Sequence, residues 1–418
     1  MKPDTAIANP SGLIELTRPA QLLCAVLILS QIISLTGSLV LGYWFRDPSG
    51  QLRAIDFVNI WMAGQQALNG NPTAAYDEAI HKAAQVAALG NDFEGEYPWY
   101  YPPTFLFPAA LLALVPYVWA YVIWVGATFA AYVAVIRGII GSNAGILLAC
   151  AYPGVMMNIV PGQNGFLTAA LIGGALLVMP RRPILSGILF GLLSFKPQLG
   201  IMIPIAMMAS GRWNVIAAAA ATTLALAAAS WLAFGTAPWE AFFPTLRAGS
   251  QAILTDGLSG WGKLHSIYGI VRVLGGSDAL AWALQGLCMV GTAIAIFAIW
   301  RSQLSSFEVK AAALAAAILL ATPYVFIYDL VLLAVAMAFL LRAGALRGFL
   351  TREILGVEVA CLFVATFPTL GAPVGFAAVV LVTLLIARRM ILGEEHVASG
   401  TRISPATSWS GTPKLSES

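Results

Sequence analysis

The chain has 418 residues, of which 59% are hydrophobic and only 10% charged, and its mean hydropathy is +0.83. Soluble domains carry about a quarter charged residues, so this composition excludes one. The net charge of +3 comes without a basic stripe, which excludes a nucleic-acid partner. Apolar residues come in runs of about 16 to 25, enough to cross a bilayer, and such runs must be helices. The alternating segments of a β-barrel are absent. The sequence therefore predicts an all-α, polytopic membrane protein.

The N-terminal region predicts an uncleaved first span. Residues 1–19 are polar and predict a cytoplasmic segment. The apolar run that follows, from Ala20 to about Leu41, is too long for a signal-peptide core, and no convincing cleavage site precedes Tyr43. The four cysteines all lie in apolar runs at unrelated spacings, which predicts free thiols and neither a disulfide framework nor a metal cluster. They are Cys24, Cys150, Cys288 and Cys361.

Charge placement decides the topology of the long apolar stretch from Thr104 to Arg137, which Pro108 and Pro116 interrupt. It could form two short spans, or a re-entrant segment followed by one span. The second choice puts fifteen of the 22 basic residues on one side of the membrane. Because basic residues collect on the cytoplasmic side, we predict that Thr104–Val115 dips into the bilayer without crossing it.

The predicted transmembrane domain covers residues 20–392, with both termini in the cytoplasm and a Ser/Thr-rich, disordered tail at 393–418. Twelve spans are expected, at about residues 20–43, 117–136, 143–160, 164–179, 183–195, 198–210, 213–234, 278–300, 310–323, 326–341, 354–370 and 373–391.

Two long loops face outward, at residues 44–103 and 235–277. The first carries seven acidic residues against three basic ones. Its stretches 57–69 and 77–89 have amphipathic helical patterns, and Gly70-Asn71-Pro72 breaks the chain between them. Helices of this kind usually lie in the membrane interface.

Placing a polar residue near lipid costs free energy, so the polar residues at the outer ends of the spans are candidate functional residues. Asp56 could cap the helix that starts at residue 57, could act as a catalyst, or could do both. Tyr101, in Tyr100-Tyr101-Pro102-Pro103, fits an interfacial aromatic belt. The turn Gly162-Gln163-Asn164-Gly165 leaves two amides in need of partners, and these could bind sugar hydroxyls.

Charged residues at the same outer ends provide further candidates. Lys196, between two apolar runs, is either snorkelling or holding an anion such as a lipid phosphate. Lys263 and His265 place a cation beside an imidazole. Asp329 follows Tyr328 in an apolar run, where an ion pair with Lys196 or Arg272 would explain it structurally. No catalytic triad, P-loop, dinucleotide fingerprint, HExxH or paired Cys/His motif occurs, which argues against nucleotide hydrolysis and metal chemistry.

The order of these motifs resembles glycosyltransferase family 87, over about residues 50–330. The resemblance rests on short motifs that follow one another on one side of the membrane. They are Asp56-Phe57, Ala67-Leu68-Asn69-Gly70, Ala75-Tyr76-Asp77, Tyr101-Pro102-Pro103, Gly162-Gln163-x-Gly165, Ser186-Gly187-x-x-x-Gly191 and Lys196-Pro197. That family holds mannosyltransferases that use a polyprenyl-phosphate-mannose donor.

The resemblance implies a GT-C fold, a bacterial inner-membrane location with a periplasmic active site, and a sugar donor carried on a polyprenyl phosphate. It also implies a lipid-linked or glycan acceptor, with no cofactor and no metal. By position, Asp56 matches the family's essential acid in the first loop. We assign it the role of general base. The donor phosphate is assigned to Lys196, His265, Lys263 and Arg272, and the sugar or acceptor to Tyr101, Gln163, Asn164, Tyr328 and Asp329. The residues leave the sugar open between mannose, arabinose and another hexose.

Two other functions compete with this interpretation. A secondary transporter would place its polar residues at mid-membrane and show internal repeats, whereas these lie at span ends and no repeat is evident. A lipid-linked oligosaccharide flippase or polymerase would line its interior with more basic residues than this chain has.

Overall fold

The computed structural model describes residues 6–8, 14–90, 92–93 and 95–398. Within these ranges the chain forms a short antiparallel hairpin followed by nineteen α-helices. The strands are β1 (Ala6–Ala8) and β2 (Ile14–Leu16). The helices are α1 (Arg18–Val40), α2 (Phe57–Leu68), α3 (Glu78–Leu89), α4 (Leu106–Ala113), α5 (Tyr117–Ile140), α6 (Ala144–Ala151), α7 (Gly154–Ile159), α8 (Gly165–Val178), α9 (Pro183–Leu192), α10 (Met202–Ala209), α11 (Trp213–Phe234), α12 (Ala237–Ser250), α13 (Ile267–Val273), α14 (Asp278–Arg301), α15 (Phe307–Ala321), α16 (Val331–Arg347), α17 (Glu353–Ala365), α18 (Phe367–Leu370) and α19 (Gly375–Ala398).

Seven helices in the described part of the chain are long and apolar enough to cross a membrane. They are Arg18–Val40, Tyr117–Ile140, Trp213–Phe234, Asp278–Arg301, Ile327–Arg347, Glu353–Leu370 and Gly375–Leu392. Four shorter apolar helices accompany them, at Pro103–Ala113, Gly165–Val178, Pro183–Phe195 and Pro197–Ala209. The prediction of an all-α, polytopic membrane protein is confirmed at this level.

The apolar segment at residues 103–113 is held against α2 by hydrogen bonds. Trp61 of α2 donates its indole N–H to the carbonyl of Val115 at 3.0 Å, and Gln65 donates to that of Ala113 at 2.7 Å. These bonds satisfy carbonyls at the C-terminal end of α4, which would otherwise lack partners. Gly64 allows the contact, because a Cβ there would lie 2.0 Å from the carbonyl oxygen of Ala109. The segment 103–113 thus packs along α2.

Close helix packing elsewhere depends on small residues. A Cβ on Gly187 would lie 2.5 Å from the carbonyl oxygen of Val215, and one on Gly191 would lie 2.7 Å from that of Ala219. The Ser186-Gly187-x-x-x-Gly191 motif therefore lets α9 approach the backbone of α11, as small residues four apart do in membrane helices. This motif has a packing role.

Two predicted segments differ from the structure. Residues 143–160, expected as one span, divide into α6 and α7 at Tyr152-Pro153, because proline cannot continue the hydrogen-bond ladder. The tail expected to be disordered from Gly393 is helical as far as Ala398, since α19 continues past the apolar run. Its remainder, 399–418, lies outside the described residues.

Candidate functional site

A cavity of about 860 Å³ lies at the end of the helical body where the two long loops meet. Its walls come from the first loop, the turns before α8 and before α10, helix α12, and the turn that precedes α16. The larger part of the wall is apolar. The sequence-predicted residues on it are Asp56, Tyr101, Gln163, Lys196, Lys263, Tyr328 and Asp329.

Asp56 occupies the N-cap position of α2, but its side chain makes no capping hydrogen bond. Its Oδ2 atom instead accepts a hydrogen bond from Nε2 of Gln163 at 2.9 Å. The backbone N–H of Phe57, one of the unpaired N–H groups at the start of α2, donates to the carbonyl of Pro161 at 3.0 Å. The turn before α8 therefore holds both the helix start and the carboxylate, and it leaves Asp56 facing the cavity.

A directed chain of hydrogen bonds ends at this carboxylate. Nδ2 of Asn164 donates to the Tyr101 hydroxyl at 2.8 Å, and that hydroxyl donates to Oε1 of Gln163 at 3.3 Å. Gln163 then donates to Asp56 through its other amide atom. Each donor points toward the acid, so every amide orientation in the chain is determined by its neighbours. Asn164 is fully buried behind Tyr101 and does not line the cavity.

Burial raises the pKa of Asp56, because the charged form loses its hydration among the surrounding protein atoms. The hydrogen bond from Gln163 and the positive charge of Lys263 oppose this rise. Burial likewise raises the pKa of Tyr101, which keeps its hydroxyl proton available for the bond to Gln163. A carboxylate with a raised pKa is better suited to accept a proton near neutral pH.

Two glycines shape the turn that carries Gln163. Gly162 has φ of +68°, and a Cβ there would lie 2.8 Å from the Cβ of Phe57. A Cβ on Gly165 would lie 2.2 Å from the carbonyl oxygen of Tyr328. The backbone of this turn therefore touches both the start of α2 and the turn before α16, which only residues without a side chain permit.

Lys196 and Asp329 form a buried ion pair at 2.6 Å. The ammonium group also lies 5.0 Å from the centre of the Tyr328 ring. The other oxygen of Asp329 accepts from the backbone N–H of Phe326 at 3.2 Å. Of the two partners expected for Asp329, the structure selects Lys196.

His265 and Arg272 do not line the cavity. Nδ1 of His265 accepts from the backbone N–H of Gly375 at 3.1 Å, and its ring packs at 4.9 Å on Phe367, which separates it from the cavity. Burial lowers the pKa of His265 to about 4, so the ring is neutral. The guanidinium of Arg272 lies 4.2 Å from the centre of the Trp261 ring and donates to the carbonyls of Thr255 and Gly276. Both side chains hold loops together, and this placement argues against the phosphate role expected for them.

Several cavity residues were not singled out from the sequence, among them Arg247, Glu96 and Tyr97. The signal that could have found Arg247 is the amphipathic spacing of α12 inside an outer loop. Among the described residues, no group of three or more His, Cys, Asp or Glu side chains is arranged to hold a metal ion.

The chain was compared with protein-family models, curated proteins and solved structures. The model of glycosyltransferase family 87 matches residues 99–323, more than half of the chain. No curated protein matches. No solved structure matches either. The matched region contains the Gln163 turn, Lys196, α12 and Lys263. The chain belongs to glycosyltransferase family 87.

Proposed function

We propose that this membrane glycosyltransferase moves a sugar, mannose in the first instance, from a polyprenyl-phosphate donor to a hydroxyl of a lipid-linked or glycan acceptor. The observation that carries the proposal is Asp56, a carboxylate held by Gln163 on the wall of a largely apolar cavity. A twelve-span GT-C arrangement belongs to the same proposal.

The reaction needs a base because a sugar hydroxyl is a poor nucleophile. Asp56 takes the proton of the acceptor hydroxyl as its oxygen attacks the anomeric carbon. The bond between that carbon and the phosphate oxygen breaks, and the polyprenyl phosphate leaves with the electron pair. Direct displacement inverts the anomeric centre, through a transition state with oxocarbenium character.

The leaving phosphate gains negative charge as the bond breaks, and preorganised cations stabilise that charge. Lys263 lines the cavity and is close enough to Asp56 to affect its pKa. Lys196 also lines the cavity, but its charge is shared with Asp329. His265 and Arg272 are left out of the proposed phosphate site because they do not reach the cavity.

The remaining polar residues are assigned to the sugars. Tyr101 and Gln163 line the cavity beside Asp56, and Tyr328 lines the same cavity. Asn164 and Asp329 support this surface through Tyr101 and Lys196 and position those residues.

Charge placement supports a cavity that opens away from the cytoplasm, on the periplasmic face of a bacterial inner membrane. Arg181 follows the end of α8 opposite to Gln163, and Arg342 lies near the end of α16 opposite to Tyr328 and Asp329. Under the positive-inside rule, the basic ends face the cytoplasm.

The test uses membranes that contain the protein, radiolabelled polyprenyl-phosphate mannose and extracted lipids. Label should move to a new product, and Asp56→Asn should abolish the transfer. The asparagine can still accept the hydrogen bond from Gln163, so protein abundance should not change. Asp92→Asn, an exposed acid of the same loop, is the matched control and should keep full activity. Full activity of Asp56→Asn would refute the mechanism.

A further inference from the structure

Helix α12 presents a continuous face to the cavity. The residues of α12 and the turn after it that line the cavity are Phe242, Leu246, Gly249, Ser250 and Ile253, besides Arg247. Their spacing of three and four positions is that of one side of a helix. Gly249 brings this face close to the first loop, because a Cβ there would lie 2.7 Å from the Tyr100 ring. The three large side chains of the face are all apolar.

Arg247 lies at the edge of this apolar face, and Lys263 lines the same cavity from the following loop. Both side chains are exposed, and no carboxylate lies within ion-pair distance of either among the described residues. The other basic side chains of the region are engaged, since Lys196 pairs with Asp329 and Arg272 stacks on Trp261. The cavity therefore combines an apolar wall with two basic side chains that form no ion pair among the described residues, and the charge of Asp56 acts on Lys263 only from beyond ion-pair distance.

We propose that Arg247 and Lys263 bind the phosphate of a lipid phosphate ester whose hydrocarbon chain lies along Phe242 and Leu246 of α12 and Ile253 of the turn after it. This inference rests on the proposed function, and it adds Arg247 as a phosphate-binding residue and α12 as the surface for the chain. The same chemistry could come from two sources: the prenyl phosphate of the donor, or the phosphate headgroup of a phospholipid acceptor.

The negative charge of the ligand increases during the reaction, so a site with two cations can assist it. A sugar phosphodiester carries one negative charge, whereas the released monoester carries close to two near neutral pH. Two cations therefore bind the monoester more tightly than the diester. Interactions that strengthen along the reaction in this way lower its barrier. Arginine adds several N–H donors in a planar fork that matches phosphate oxygens.

The experiment measures binding without turnover, in full-length protein carrying Asp56→Asn. The first probe is a radiolabelled short-chain prenyl monophosphate, and the second is phosphatidylglycerol in nanodiscs. Arg247→Gln and Lys263→Gln should each weaken binding of the prenyl phosphate by about tenfold, as expected for one charge-assisted hydrogen bond. Arg247→Lys should recover part of the loss. Arg181→Gln, an exposed arginine at the opposite end, is the matched control and should bind normally.

The two probes distinguish the two possible sources of the phosphate. Weaker binding of the prenyl phosphate alone assigns the site to the donor, and weaker binding of phosphatidylglycerol alone assigns it to the acceptor. Unchanged binding of both probes in Arg247→Gln and Lys263→Gln would overturn this inference. Because the assay requires no transfer, that result would remove only the phosphate role of Lys263 and Arg247 and would leave the transfer reaction with Asp56 as base standing. An active Asp56→Asn enzyme would instead refute that mechanism and leave this site intact.

Discussion

The Lys196 ammonium donates to Asp329 at 2.6 Å, with both side chains almost completely buried. This contact joins the turn before α10 to the turn before α16, which are 133 residues apart in the chain. Both turns form walls of the cavity. The ion pair therefore sets the distance between two sides of the site, besides bringing a cation to its surface.

Removing one partner of this pair should destabilise the protein severely. Lys196→Met leaves the Asp329 carboxylate buried without a counterion, which costs about 3–5 kcal/mol in comparable cases. The double variant Lys196→Met/Asp329→Leu removes both charges and should recover most of the loss. Thermal unfolding in detergent measures each variant.

Transfer activity of the double variant then separates two roles of Lys196. A stable but inactive double variant indicates that the ammonium acts on the substrate, whereas an active one indicates that the pair only holds the walls. Equal stability of Lys196→Met and the parent protein would contradict the buried ion pair itself.

Replacing Gln163 should change the pH dependence of transfer. Its hydrogen bond favours the ionised form of Asp56 and so lowers the pKa of that carboxyl, against the larger effect of burial. In Gln163→Leu the pKa of Asp56 rises further, and a smaller fraction of the base is available at a given pH. The acidic limb of the kcat/KM profile should move to higher pH. A pH profile that falls in height without moving would show that Gln163 only binds substrate.

The first loop is the part of the fold that the sequence predicted best. The expected helices at 57–69 and 77–89 are α2, Phe57–Leu68, and α3, Glu78–Leu89. Amphipathic spacing, the Asp77 cap and the Gly90 terminus are local signals, and local signals suffice for such elements. Asp56 and Gln163 come close only through the tertiary fold, which hydrophobic periodicity does not predict. The motif order that resembles the family indicated both residues.

The buried environment of His265 could not be predicted from the sequence. The imidazole turns inward because the backbone N–H of Gly375 provides its partner, 110 residues later in the chain. No residue near His265 in the sequence indicates that Gly375 is its partner. Arg247 was overlooked for the converse reason, since an exposed arginine on an amphipathic helix is typical of a solvated face until the cavity beside it is known.

A side chain at Gly162 should disrupt the site. The left-handed conformation at φ of +68° is unfavourable for alanine, and the new Cβ would lie 2.8 Å from Phe57 and from the Tyr121 ring. We expect Gly162→Ala to lose at least about 1 kcal/mol of stability and most of its transfer activity, because the turn carries Gln163. Gly126→Ala in α5, where a Cβ meets nothing within 4 Å, is the control and should keep both. A fully active Gly162→Ala would show that the turn can relax without moving Gln163.

The neutral state of His265 should appear in the pH dependence of stability. Its pKa is lowered from 6.5 to about 4 in the folded protein, so the unfolded chain takes up the proton first as pH falls. The stabilisation is therefore complete above about pH 6.5 and is lost as pH falls toward about 4. His265→Asn, whose amide oxygen can accept from Gly375, should show a shallower decline. Thermal unfolding midpoints of the parent protein and of His265→Asn, at about pH 7 and about pH 5, measure this difference. An equal fall of the midpoint in both proteins would contradict a neutral, buried ring.

Thiol labelling should establish which side of the membrane the cavity faces. Lys263 and Arg181 are both exposed and lie at opposite ends of the helical body, so single cysteines at these positions report the two faces. The four native cysteines are free and are first replaced by alanine to remove background. A membrane-impermeant maleimide on intact spheroplasts should label Lys263→Cys at once and Arg181→Cys only after the membrane is broken. The charge bias of the helix ends requires this order, and the reverse order would place the cavity, and with it the proposed lipid-phosphate donor, on the cytoplasmic side.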